Sequence, residues 1–147
     1  IQYTAVEQIE SATRESDIII TVTPSKEPII ARDWVKPGTH FSCIGADMSG
    51  KEEIDPKIIG DARVFTDDLA QCMNVGEIEI PIKTGIISKD DLAGEIGDII
   101  IGKVQGRQSP DQITVFDATG TALLDLVTAQ KAFDAAEKCG VGTTVNL

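Results

Sequence analysis

The sequence predicts an α/β fold built on a parallel sheet, on the strength of three observations. Short runs rich in β-branched residues alternate with segments of helical periodicity, the pattern that right-handed strand–helix–strand crossovers impose. The run Ile18-Ile19-Ile20-Thr21-Val22-Thr23 is apolar on both faces, as a central parallel strand is. Three strand runs end in small or hydroxyl residues, Thr23-Pro24-Ser25, Gly45-Ala46-Asp47 and Asp117-Ala118-Thr119-Gly120. In a parallel sheet all three lie on the carboxyl edge, where open α/β sheets bind ligands. A length of 147 residues is that of one domain with a small core.

Residues 5 to 15 place Val6, Ile9 and Ala12 on one face, which predicts a short amphipathic helix before the first strand. Pro24 and Pro28 make the next segment a loop with one helical turn around Ala31 to Val35, and Trp34 packs beneath it. Lys36-Pro37-Gly38 turns the chain into a second strand, His40 to Ile44. Ile54 to Ile59 allows a short helix starting near Asp55-Pro56, and Ala62 to Thr66 reads as a third strand. Asp67 or Asp68 caps a helix carrying Leu69, Cys72 and Met73, whereas Pro81 and Gly85 leave Glu77 to Ser88 irregular. A helix from Asp90 or Asp91 runs through Leu92, Ile96, Ile99 and Ile100, followed by a polar loop, Gly106 to Gln112. Ile113 to Asp117 is the fourth strand, and a long helix follows from about Thr121 to Lys138, with Gly140 as its C-cap.

The formal charge of −11 excludes nucleic acid and anionic membrane surfaces as partners, since both require basic patches. No apolar run approaches the roughly 18 residues of a membrane span, and the first residues lack the pattern of a secretory signal, so the expected location is the cytoplasm. Cys43, Cys72 and Cys139 have neither disulfide nor metal-ligand spacing and read as reduced packing residues. No metal is assigned. Ile1 follows no methionine and the first residues resemble the end of a strand entering a helix, so a fragment of a longer protein is expected.

Asp47 is the candidate catalytic residue. It follows the second strand directly, and a carboxylate half screened from water there is expected to have a raised pKa and to exchange a proton with substrate. Gly45 to Lys51 also matches most of a phosphate-binding loop, but Glu52 stands where a Ser or Thr would hold magnesium, and Asp47 would repel phosphate. Lys51 is expected to pair with Asp47, reach a cofactor or be solvated. His40, the single histidine, reads as a hydrogen-bonded or surface residue, and Arg107 and Gln108 receive no role from spacing.

Taken together, TVTPSKEP, Trp34, KPGTH, IGADMSGKEEID, GRQSPDQITVFDATGTALLD and GVGTTVNL closely resemble, in order and spacing, the ornithine cyclodeaminase and mu-crystallin family of NAD(P)-dependent proteins. The resemblance implies a Rossmann-like parallel sheet with helices on both faces, incomplete here. Residues 1–147 would be the C-terminal part of an NAD(P)-binding domain, and 121–147 the helix and tail returning toward a substrate and dimerisation domain. It implies Asp47 as proton donor and acceptor, with Thr23, Ile44, Gly45, Ala46, Asp47, Lys51 and Ala118 at the cofactor and Thr119 beside the substrate. The cofactor would be NAD(H), with NADP(H) as the alternative, and the full-length protein a homodimer acting on a small amino acid or imine. The activity implied first is cyclodeamination of L-ornithine to L-proline and ammonia by internal hydride transfer. However, this chain has GADMSGK where ornithine cyclodeaminases often show GGDCPGK, and DATG where they show DSVG. GAD is common in relatives that reduce imines or oxidise alanine. A ketimine reductase, an alanine dehydrogenase and a mu-crystallin-like binding protein therefore stand as alternatives.

Overall fold

The structure, a computed structural model, describes residues 2–143 and 145; Ile1 and, in the predicted tail, Thr144, Asn146 and Leu147 lie outside the described residues. Among the described residues, β1 (Ile18–Thr21), β2 (His40–Cys43), β3 (Arg63–Thr66), β4 (Gly94–Glu95) and β5 (Thr114–Asp117) form one sheet in the order β1-β2-β5-β3-β4. Every pairing is parallel. The helices are α1 (Ile9–Glu15), α2 (Pro56–Asp61), α3 (Leu69–Val75), α4 (Glu79–Lys83), α5 (Ile96–Ile100) and α6 (Ala122–Cys139), with single 3-10 turns at Arg32–Trp34 and Lys89–Asp91. This is the Rossmann-like α/β sheet the sequence implied.

Register decides where the core lies. Phe41, Val115 and Val64 are paired across β2, β5 and β3, so they point to one face, and all three are buried. Ile58 and Ile59 of α2, Cys72 of α3, and Ile30, Ile54 and Ile78 from the connections close over them. Burying a side chain such as Phe41 stabilises the fold by about 1.5–3 kcal/mol relative to leaving it exposed. The opposite face is covered at the β3 and β5 end, where Ile96 and Ile99 of α5 and the loop of Gly106 and Arg107 line a cavity with Phe65 and Phe116.

Local chemistry explains the element ends. Asp55 caps α2 by accepting from the Lys57 N–H, and Pro56 occupies the first helical position, where its missing N–H costs nothing. Asp68 caps α3 through the Gln71 N–H. Helix α6 ends at Gly140, whose φ of 65° lies in the left-handed region that favours glycine.

Several expectations are corrected. The stretch left irregular contains α4, because Pro81 falls in its first turn, where proline is tolerated. The helix expected from Asp90 instead divides: Ala93 donates to Val64 O, Gly94 and Glu95 pair with Phe65 and Thr66, and helix resumes at Ile96. Gly94 has a φ of +137°, which a helix cannot contain. Among the described residues β1 lies at an edge of the sheet and not at its centre, and Ile18 and Ile20 are each 66% exposed. Cys43 and Cys72 are buried as expected, but Cys139 is exposed on α6.

Candidate active site

Because β1, β2 and β5 are adjacent and parallel, their carboxyl ends lie side by side, and the three turns picked out in the sequence form one rim. The rim is stitched by backbone bonds: Ile44 N–H donates to Thr21 O at 2.9 Å and Ala118 N–H to Cys43 O at 2.9 Å. Gly45 passes close enough to the β1 turn that an added Cβ would lie 2.5 Å from both Thr23 N and Thr23 O. Only glycine permits that approach.

Asp47 sits at this rim with its side chain 55% exposed, and Lys51 Nζ is 2.5 Å from its Oδ1. The same ammonium donates to Gly45 O at 3.3 Å, and its side chain is nearly buried. Lys51 therefore folds back to brace its own loop. The hydrogen bond from Lys51 pulls the Asp47 pKa below the usual carboxylate value, outweighing the desolvation that opposes it. This overturns the raised pKa expected from the sequence, since neither the exposure nor the ion pair is visible in the motif.

Several of the loop's polar groups are taken within the protein, Asp47 N–H by Gly45 O among them. Gly45 N–H donates to Glu53 Oε2, while Gly50 N–H and the Ser49 hydroxyl donate to the two oxygens of Glu79, which also pairs with Lys83. No helix opens at Lys51, the next one beginning only at Pro56, so the phosphate-loop pattern in the sequence does not produce the helix N-terminus that a phosphate loop needs.

At the β5 turn, Ala118 is buried beside β2, while Thr119 faces the β3 side. Thr119 Oγ1 lies 3.5 Å from Asp67 Oδ1, and Gly120 N–H donates to Asp67 Oδ2 at 2.8 Å. Thr23, Ile44, Gly45, Ala46, Asp47, Lys51 and Ala118 are thus gathered on adjoining turns, with Thr119 at one end. His40 opens β2, at the opposite end of the strand, and hydrogen-bonds Thr114 Oγ1. Burial, then the charge of Arg107, lowers its pKa.

Beneath the rim lies a set of buried acids that the motif reading missed. Glu53 accepts from Thr23 N–H at 2.5 Å and from Gly45 N–H at 3.1 Å. Glu77 Oε1 accepts from the N–H groups of Glu53 and Ile54, both at 2.7 Å, and Asp117 Oδ2 from Ile78 N–H at 3.1 Å. Burial pushes Glu77 up to about 8, against the pull of those two N–H groups, and Asp117 up to about 7. The available signal was confined to Glu77 and Glu79, which alternate with Ile78, Ile80 and Ile82, where a solvated charge would not be placed; Glu53, in the charged run Lys51 to Asp55, gave none.

A model of the ornithine cyclodeaminase/mu-crystallin family matches residues 1–140, and the chain belongs to that family. It is 38% identical over 141 residues to alanine dehydrogenase of Archaeoglobus fulgidus, covering 96% of this chain and 44% of that relative. A solved archaeal alanine dehydrogenase dimer with bound NAD superposes with a TM-score of 0.88 at 38% identity, over 97% of this chain and 44% of that one. The Δ1-pyrroline-2-carboxylate reductase of Thermococcus litoralis, solved with NADH and L-proline, gives a TM-score of 0.88 at 33% identity, over 95% of this chain and 44% of that one. The chain thus spans less than half the length of each of these relatives.

The rim fits the planar end of a nicotinamide coenzyme. Gly45, Ala46 and Ala118 are small and buried, and the position of Gly45 has no room for a side chain, so at these positions the adjoining turns present a ledge of backbone and small side chains. Thr23, Gly45, Ala46 and Ala118 are the residues that would hold the ring, with Asp47 exposed beside it.

Proposed function

We propose that this chain forms the nicotinamide-facing part of an NAD(H)-dependent amino-acid dehydrogenase or imine reductase. Residues 1–147 are the C-terminal part of its coenzyme domain, and 121–147 lead to the domain that binds substrate and forms a homodimer. The observation that carries this reading is the exposed Asp47 on a ledge of small residues, in a chain whose relatives of 33–38% identity are an alanine dehydrogenase and a pyrroline-2-carboxylate reductase. The apolar Leu123, Leu126 and Phe133, exposed along α6, support a further domain packing there. Free cysteines and the acidic charge support a cytoplasmic enzyme.

A bound nicotinamide coenzyme supplies hydride transfer at the substrate α-carbon. The chain's own residues manage protons and geometry. Asp47 takes a proton from the substrate nitrogen as its C–N bond becomes a C=N bond, and returns it in the reverse direction. Lys51 keeps Asp47 ionised and ready to accept, while Thr119 borders the substrate side.

The test is absorbance at the reduced-nicotinamide band in the protein that spans this chain. A rise with L-alanine and NAD, or a fall with a cyclic imine and NADH, is the expected result. Cyclodeamination of L-ornithine is the second reading, favoured by the family the chain belongs to; it releases ammonia with no net change in that band. Coenzyme binding with no turnover of any of these substrates would favour a mu-crystallin-like binding role.

A further inference from the structure

We propose that Glu53 is a positioning residue for the coenzyme: it fixes the spacing of the β1 and β2 turns, and through them the ledge that receives the ring. This rests on the nicotinamide reading above. Glu53 is fully buried, and its two oxygens are divided between two different turns, Oε1 to Thr23 N–H and Oε2 to Gly45 N–H. One carboxylate thus ties together two of the turns that make the ledge. The contact is close packed, since an added Cβ at Gly45 would lie 2.6 Å from Glu53 Cδ as well as against the Thr23 backbone. Glu53 is itself held, because its own N–H donates to Glu77 Oε1.

Bond geometry separates this role from that of the neighbouring acid. A carboxylate accepts at both oxygens, whereas a carboxamide accepts at one and donates at the other. In Glu53→Gln the amide nitrogen must face either Thr23 N–H or Gly45 N–H, so one turn loses its anchor and is pushed away. At Glu77 both N–H donors converge on Oε1, and Oε2 has no hydrogen-bond partner among the described residues. Glu77→Gln can therefore present its carbonyl oxygen to both donors and leave the Glu53 backbone where it is. The same chemical change is disruptive at one glutamate and mild at the other.

The experiment compares wild type, Glu53→Gln and Glu77→Gln in the full-length protein, using NADH fluorescence titration and steady-state kinetics. Glu53→Gln should raise the dissociation constant and KM for coenzyme by about 10-fold or more, with kcat at saturating coenzyme within about 3-fold. Glu77→Gln should change the coenzyme constants by less than about 3-fold. A merely structural Glu53 would lower the melting temperature and the active fraction but leave the KM of the surviving enzyme unchanged, which would overturn the proposal. Unchanged NADH binding by Glu53→Gln, with wild type binding normally, overturns it and leaves the functional reading standing; a wild type that fails to bind NADH overturns both. If Glu53→Gln does not fold, amide exchange in coenzyme-free wild type decides. Slow exchange at both Thr23 and Gly45 is expected, and fast exchange at either overturns the proposal.

Discussion

The rim of the sheet and the layer directly beneath it are built in opposite ways. At the rim, Asp47 is exposed, Lys51 is its ion-pair partner among the described residues, and the residues beside it are small. A few ångströms below, Glu53, Glu77 and Asp117 are buried and tied to backbone N–H groups of the turns and loops around them. Charges at the rim face water and are free to exchange protons. Those below are shielded, so they act through the geometry they impose and through the cost of ionising them. The difference teaches that acidic residues only a few positions apart in sequence sit in unrelated settings, an exposed ion pair at Asp47, which suits the proton transfer proposed for it, and a buried clasp on the backbone at Glu53.

The largest effect that sharpens this contrast is at the rim. Asp47→Asn in the full-length enzyme should lower kcat by roughly 10²–10⁴-fold while leaving NADH affinity near normal; turnover close to wild type would break the assignment. Next comes the seam between rim and underlayer. Gly45→Ala forces a methyl to within 2.5 Å of the Thr23 backbone, and this overpacking should cost about 1–3 kcal/mol, read as a lower urea midpoint together with weaker coenzyme binding.

The buried acids should impose a pH dependence on stability. Burial raises Glu77 from 4.5 to about 8 and Asp117 from 3.8 to about 7, so the folded state holds protons that the unfolded state has lost. Stability is then greatest below the unfolded values and falls as pH rises toward about 7 and 8, with a slope of up to about 1.4 kcal/mol per pH unit for each proton retained. The urea midpoint should drop between about pH 5 and about pH 8, and Glu77→Gln should flatten that fall. The smallest effect returns to the surface. Lys51→Met should cost about 1 kcal/mol through the lost bond from its nearly buried ammonium to Gly45 O, and it should move the acidic limb of the kcat/KM profile upward toward the ordinary carboxylate value.

Much of this organisation was legible in the sequence. The β-branched runs located β1, β3 and β5, since their content of Ile, Val, Thr and Phe is a local property, and the Lys36-Pro37-Gly38 turn located β2. The three strand-end turns were visible because Gly, Ala and Thr at such positions carry their own turn chemistry, and parallel pairing brings them together. Strand β4 was hidden: two residues give no periodicity, and their pairing depends on β3, about thirty positions earlier in the chain. Helix α4 was obscured by Pro81, which breaks a helix interior but not its first turn. The edge position of β1 could not be read, because a strand apolar on both faces looks the same whether the neighbour that covers it is present or not. The charge state of Asp47 escaped for a related reason: a motif supplies Lys51 four residues later but not the direction in which its side chain folds.

The close passage of Gly45 against Thr23 has a consequence for how such a site can diversify. With residue 45 confined by backbone on one side and Glu53 on the other, selectivity cannot drift there without dismantling the ledge. Met48 and Thr119 are more open to change, since the first is exposed and the second lies at the end of the rim. Side chains at those two positions can vary while the anchoring beneath stays fixed.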